Sequence, residues 1–214
     1  MKDALTVADA LPLAATIAAA LEAAYDEITA LDAEVGDGDL GVTCRLGMAA
    51  VLQALPALAD ATPDALLMKS GMTFNSAGAS TYGALVATAA MRAAKYAKDN
   101  EVGEWDLPAL IGAATAAAEG IEQRGKASRG DKTILDALWP AVDALKAADA
   151  VNKGLADALA DAAIAAREGA EATKPLRSKF GRAAWMQDRT IGVQDAGATV
   201  AAIVIAAIAA YVTQ

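Results

Sequence analysis

The chain predicts an all-α fold of seven or eight helices joined by short loops, with no internal domain boundary across residues 1–214. Two observations carry this. Hydrophobic residues make up 56% of the chain but aromatic ones only 4%, with Ala supplying much of the rest, and Ala is the best helix former while β-branched runs are rare. Apolar residues also recur at helical spacing between short breaks containing Gly, Asp and Pro.

Thr6 to Leu31 reads as a first amphipathic helix, with Leu13, Ile17, Leu21 and Ile28 along one face. It delivers Asp32 into the stretch Leu31-Asp-Ala-Glu-Val-Gly-Asp-Gly-Asp-Leu-Gly41, where Asp37 and Asp39 follow among Gly36, Gly38 and Gly41. Carboxylates gathered this closely repel one another and call for a cation. Hard oxygen donors on a tight Gly turn suit Mg²⁺ or Ca²⁺, and the chain has no His. The competing reading is a solvated acidic turn between helices. An EF-hand is excluded, because Val42 stands where its Gly belongs and Met48 where its bidentate Glu belongs.

Thr43 to Leu55 resumes a helix closed by Pro56, and Thr62-Pro63-Asp64 starts a short one toward Ser70. Asn75-Ser-Ala-Gly-Ala-Ser-Thr-Tyr-Gly83 then leads into a long helix reaching about Asp99. Small residues before a helix either let backbone N–H groups approach an anion or serve close packing. Leu107 to Gln123 is helical and ends in Arg124-Gly-Lys126. Gly130-Asp-Lys-Thr-Ile-Leu-Asp136 opens the next helix, with Thr133 and Asp136 at capping-box spacing. Asn152 to Gly169 is a further Ala-rich helix.

Lys174 to Gln194 lacks an apolar period and collects Lys174, Arg177, Lys179, Arg182 and Arg189. This is either a solvated charge run or a phosphate-facing loop. Ala196 to Val212 carries no charge; it is expected to be a helix buried on all sides of a soluble bundle, with a short membrane span as the alternative.

The formal charge of −9 argues against a nucleic-acid surface. Any polyanion is expected to be held locally, through metal ions or a few arginines. One cysteine, Cys44, excludes an internal disulfide and fits a reducing compartment. Asp3 and Asp9 near the start do not suit a signal peptide, so a cytoplasmic location without a membrane partner is expected.

Four separated segments, in order, resemble the nucleotide-binding L subunit family of dihydroxyacetone kinases. They are residues 31–39; Asn-Ser-Ala-Gly-Ala-Ser at 75–80; Arg-Gly-Lys at 124–126 with Gly-Asp-Lys-Thr-Ile-Leu-Asp-Ala-Leu at 130–138; and Gly-Arg-Ala at 181–183 with Arg-Thr-Ile-Gly at 189–192 and Gln-Asp-Ala-Gly-Ala at 194–198. The resemblance implies an antiparallel up-and-down barrel of eight helices with a nucleotide site at one rim.

Carried onto matching positions, it implies that Asp32, Asp37 and Asp39 hold two Mg²⁺ ions. Leu40, Gly41, Val42 and Thr43, with Ala79 and Ser80, would present N–H groups and hydroxyls to the phosphates of ATP or ADP. Gly125, Thr133 and Ile134 would line the adenine side. Arg182 would face the phosphates as the catalytic cation, and Asp195, Ala196 and Gly197 would close over the nucleotide. The chain departs from the family pattern at Leu40, Thr43 and Ala196 and in a shorter turn at 78–83.

The implied activity is transfer of a phosphoryl group to dihydroxyacetone or a similar small ketose. The implied partners are a K-type subunit that holds the substrate on a His and, for an ADP-bound form, a phosphotransferase-system donor; a homodimer is compatible with this reading. The alternatives are a non-catalytic nucleotide-binding regulatory subunit, or a related kinase for another sugar or lipid substrate.

Overall fold

The computed structural model describes residues 2–214 and contains nine α-helices and three 3₁₀ turns among them. The helices are α1 (Ala10–Ala23), α2 (Tyr25–Val35), α3 (Leu40–Ala54), α4 (Pro63–Ala77), α5 (Thr81–Asp99), α6 (Leu107–Gly125), α7 (Leu135–Ala150), α8 (Leu155–Glu171) and α9 (Ala196–Thr213). From α3 onward each helix packs on its successor in the chain, and α9 returns to pack on α1, which in turn packs on α3. This closes an up-and-down ring. With α1 and α2 taken as one bent rod, the ring has eight members.

Three helix starts show side-chain capping. The Ser80 hydroxyl accepts the Gly83 N–H, and the Asp106 and Asp195 carboxylates accept those of Ala109 and Ala198. Pro63 occupies the first position of α4, where a missing N–H costs nothing.

Three expectations are corrected. The first helix is not continuous: it breaks at Ala24 and α2 turns away from α1 by 59°. No Gly or Pro marks the break. Arg45 of α3 spans it instead, bonding Glu22 on one side at 2.7 and 2.6 Å and stacking 3.7 Å from the Tyr25 ring centre on the other. The fourth helix runs to Ala77 rather than ending near Ser70, because Leu66, Gly71 and Phe74 continue its buried face. The C-terminal helix is not buried all round. Ala206 and Ala210 are exposed and Ile203, Val204 and Ile205 only partly covered, as suits a wall element of a ring. By length and composition α9 and the stretch Leu40–Leu58 are apolar enough to cross a membrane; in this structure 56% of α9 is buried against protein.

The largest core cluster lies among α5 to α9 and is rich in Ala, which lets the helices approach closely. A smaller cluster of Leu21, Ile28, Leu40, Cys44, Ala196 and Val200 lies beneath the acidic turn, with Tyr82 packed against both clusters. Cys44 belongs to this core, and burial pushes its thiol up to about 12.

At the opposite end the ring is fastened by Asp9. Its carboxylate accepts the Tyr211 hydroxyl at 2.7 Å and the Thr6 N–H at 2.8 Å, and pairs with Lys2 at 2.7 Å. Burial alone would raise its pKa, but these donors hold it well below the ordinary 3.8. A depressed carboxylate stabilises the fold above its unfolded pKa and loses that contribution as pH falls toward the folded value. Replacing Asp9→Asn is therefore expected to cost about 1–3 kcal/mol at neutral pH. In paired thermal melts, the gap between variant and wild type should close as pH falls below about 4.

Candidate functional site

The acidic turn sits at one rim of the ring. Asp32 is on the last turn of α2, and Asp37 and Asp39 lie on the connection to α3. A reversal at Gly38 with φ +73° separates the latter two, a conformation other residues rarely adopt. Oxygen atoms of the three carboxylates lie within 4.8 Å of one another. Asp39 stands in the N-cap position of α3 but does not cap it. Asp32 does so instead, accepting the Leu40 N–H at 3.0 Å. The Asp39 carboxylate is thereby left free to face the same space as Asp37. This all-oxygen donor set, on a turn held by the fold, fits a hard divalent cation such as Mg²⁺.

Two helix N-termini meet beside the triad. Gly78 lies against α3, where a Cβ would come within 2.7 Å of the Thr43 carbonyl oxygen, so only Gly allows the 78–80 turn this close. Of the residues expected to offer N–H groups at α3, two are otherwise engaged. The Leu40 N–H bonds Asp32 and its side chain is core, while the Thr43 N–H bonds the Asp39 carbonyl at 2.9 Å and its side chain is buried. The first-turn N–H groups of Gly41 and Val42 remain. At α5 the Ser80 oxygen is taken by Gly83, leaving its O–H and the first-turn N–H groups of Thr81 and Tyr82; Ala79 is exposed beside them. Packing of Leu40 into the cluster beneath the turn accounts for an apolar residue at this position.

On the other side of the rim, Gly197 brings α9 against the α6–α7 turn. A Cβ there would lie 3.6 Å from the Tyr82 ring and 3.8 Å from Ile134. Ile134 is buried, and Ala196 is core. Asp136 fixes the turn by accepting the Gly130 N–H at 2.6 Å and the Thr133 N–H at 2.7 Å. The expected capping box is half realised, since the Thr133 hydroxyl accepts from Leu135 rather than Asp136. Gly125 ends α6, and only Ala127 lies within 4 Å of its Cβ position, so Gly125 is not packed against the rest of this group.

The basic segment 174–194 divides its cations. Arg182 pairs with Asp37, Lys179 with Asp131 at 2.6 Å and Arg177 with Asp188 at 3.4 Å. Arg182 is the one cation of that cluster to meet the triad among the described residues. Sequence reading did not single out Lys132 within the Gly130–Asp136 stretch. Lys132 is 2% exposed and bonds three backbone carbonyls, those of Leu176, Thr190 and Val193. Burial lowers its pKa, and Asp195 opposes this.

Asp195 caps α9 through Ala198, and its N–H donates to the Thr173 hydroxyl at 2.9 Å. Burial, with Asp136 nearby, pushes its carboxyl up to about 6 against the opposing pull of the cap and of Lys132. A raised carboxyl pKa makes the ionised form a cost in the folded state. That cost is absent below the unfolded value near 4 and grows until the pH passes about 6. Asp195→Asn keeps an N-cap acceptor and is expected to gain stability over wild type as pH rises from 4 to 7, by on the order of 2 kcal/mol. Denaturant titrations at pH 4, 5.5 and 7.5 check this.

A model of the DAK2 domain matches residues 34–210. The chain is 35% identical over 172 residues to the ADP-binding subunit DhaL of the PEP-dependent dihydroxyacetone kinase of Escherichia coli K12, covering 80% of this chain and 81% of that protein. It is 33% identical over 186 residues to triokinase/FMN cyclase of Rattus norvegicus, covering 86% of this chain but 31% of the relative. The structure superimposes with a TM-score of 0.70 on the dihydroxyacetone kinase from C. freundii in complex with AMP-PNP and Mg²⁺, at 26% identity over 94% of this chain. The chain spans about a third of the length of that kinase.

Proposed function

The chain belongs to the DAK2-domain family, a family with kinases among its members, and from that premise we propose that it is a Mg-nucleotide-binding phosphotransferase subunit of the dihydroxyacetone-kinase type. The observation that carries the reading is the convergence of Asp32, Asp37 and Asp39 within 4.8 Å beside the N-termini of α3 and α5. Carboxylates supply the metal sites and the helix ends supply neutral donors for phosphate oxygens. The naming of one relative as an ADP-binding subunit, and the AMP-PNP and Mg²⁺ of the C. freundii complex, support the same assignment.

In this reading the three aspartates hold two Mg²⁺ ions, which offset phosphate charge and orient the transferring group. The N–H groups of Gly41, Val42, Thr81 and Tyr82 and the Ser80 O–H bind phosphate oxygens. Ile134, Tyr82 and Gly197 form the apolar wall for the adenine, with Thr133 and Gly125 at its edge. Arg182 supplies positive charge where the phosphoryl group leaves, and Asp195 and Ala196 hold the start of α9 over the nucleotide.

The phosphoryl acceptor is dihydroxyacetone or a similar small ketose presented by a K-type partner subunit, since this chain has no His on which to hold it. The donor is ATP, or a phosphotransferase-system protein acting on bound ADP. ADP retained through purification would select the second.

Titration calorimetry with ADP and ATP, with and without Mg²⁺, tests the reading; its expected result is Mg-dependent binding. Asp37→Ala is expected to abolish that binding while leaving the helical circular-dichroism spectrum intact, and wild-type affinity in this variant would falsify the metal assignment. Arg182→Ala is expected to lower kcat by about a hundredfold while changing nucleotide affinity by no more than about threefold. Equal losses in both would remove Arg182 from the transfer step.

A further inference from the structure

Lys132 is the least exposed charged side chain among the described residues, and no carboxylate lies within ion-pair distance of it. It stands in the turn before α7 with a left-handed backbone, φ +61°. Its ammonium has three protons and uses three acceptors: the carbonyls of Leu176 at 3.1 Å, Thr190 at 2.6 Å and Val193 at 2.5 Å. Burying an ammonium is costly unless it is fully bonded, and an apolar side chain of similar volume would fill the space without that cost. The charge therefore stands out for what it bonds.

Leu176 lies on the leg of the 174–194 segment that leaves α8, and Thr190 and Val193 lie on the leg that returns to α9. One nitrogen atom thus ties both legs to the α6–α7 turn. Lighter bonds reinforce the stem: the Gly192 N–H to the Lys174 carbonyl at 2.7 Å, the Ser178 N–H to the Thr190 hydroxyl at 3.0 Å, and Lys179 on Asp131, the residue before Lys132. Beyond the stem the tip is open, with Trp185 88% exposed, and it carries Arg182 to Asp37.

We infer that Lys132 is a positioning residue for phosphoryl transfer: by joining both legs of the 174–194 segment to the turn that carries Thr133 and Ile134, it sets where Arg182 stands against the aspartate triad. This rests on the kinase reading above. Without the ammonium, the Leu176 and buried Val193 carbonyls lose this donor, the buried Thr190 carbonyl keeps only the Val193 N–H at 3.3 Å, and the tie between the legs is lost. The triad and the two helix N-termini, on other elements, keep their places. The defect is therefore specific to the step that Arg182 serves and leaves Mg-nucleotide binding in place.

The test compares full-length wild type with Lys132→Met. In nucleotide-free protein, hydrogen–deuterium exchange across residues 174–194 is expected to accelerate about tenfold or more, with α3 and α5 unchanged. Mg-ADP affinity is expected to stay within about threefold while kcat, assayed with the partner subunit and substrate, falls about tenfold. Unchanged exchange in that segment, or unchanged kcat, overturns the inference.

Should the variant fail to fold, ¹⁵N-lysine spectra of the wild type decide. One of the ten lysine ammonium groups, assigned to Lys132, should show slow proton exchange with solvent, and its absence overturns the tether. Failure of the kinase reading appears in the wild type alone, as missing Mg-dependent binding. Failure of the positioning role appears in the comparison with the variant.

Discussion

Closure of the helix ring by α9 is the constraint on which the rim depends. The candidate site draws on residues 32–43 from the start of the chain, 78–82 and 133–134 from its middle and 182–197 from near its end. These share one space because α9 packs against α8 on one side and α1 on the other. The wall it supplies is mostly Ala, Val and Ile, and an Ala side chain buries little area, so each contact contributes modestly. Polar fasteners at both ends add direction to this adhesion. At the C-terminal end Tyr211 donates to Asp9, and at the N-terminal end Asp195 caps the helix while its N–H is held by Thr173. Slippage of α9 by one residue would break both sets together, so the register of the closing helix is specified at its two ends.

The acidic turn departs from the capping seen at α5, α6 and α9. Ser80, Asp106 and Asp195 each cap their own helix, whereas Asp39 occupies a cap position and caps nothing. The duty passes to Asp32, seven residues earlier on another helix, through its bond to the Leu40 N–H. The exchange holds Asp32 in place and releases Asp39 toward Asp37. Departures of this kind concentrate where a site needs a geometry that local preference would not choose. Arg182 gives the triad partial relief, but both Arg182 and Asp37 are well exposed, and an ion pair in that setting contributes little to stability. Holding the loop in place falls to the buried contacts at its stem.

Much of this was legible in the sequence because its causes are local. Ala-rich amphipathic runs gave the helices, Thr62-Pro63 the start of α4, and the spacing of Asp32, Asp37 and Asp39 the one tight carboxylate group among the described residues. What escaped has tertiary causes. The bend at Ala24 is spanned by Arg45 from another helix, and no residue at the break announces it. The length of α4 depends on the covering of Phe74 by its neighbours, among them Gly47, whose Cβ position lies 2.5 Å from the Phe74 ring. Leu40 reads as a departure at a phosphate turn and is in fact a core residue of the cluster below it. Nothing local marks Lys132, since a lysine is usually solvated; its burial depends on carbonyls 44, 58 and 61 residues away.

The charge distribution bears on how a chain of net charge −9 can hold a polyphosphate. At physiological salt the field of distant carboxylates is screened over about 8 Å, so the overall charge matters less than the groups at the rim. There the N–H donors are neutral dipoles and Arg182 is a single positive charge set against three negative ones. A phosphate group about 4 Å from one unscreened carboxylate is opposed by roughly 4 kcal/mol at an effective dielectric of 20, more than a typical hydrogen bond returns. The same carboxylates become an asset once divalent cations stand between them and the phosphates. Under the proposed function, affinity for nucleotide is therefore expected to be conditional on metal, and the conditionality follows from the surplus of Asp over Arg at this one turn.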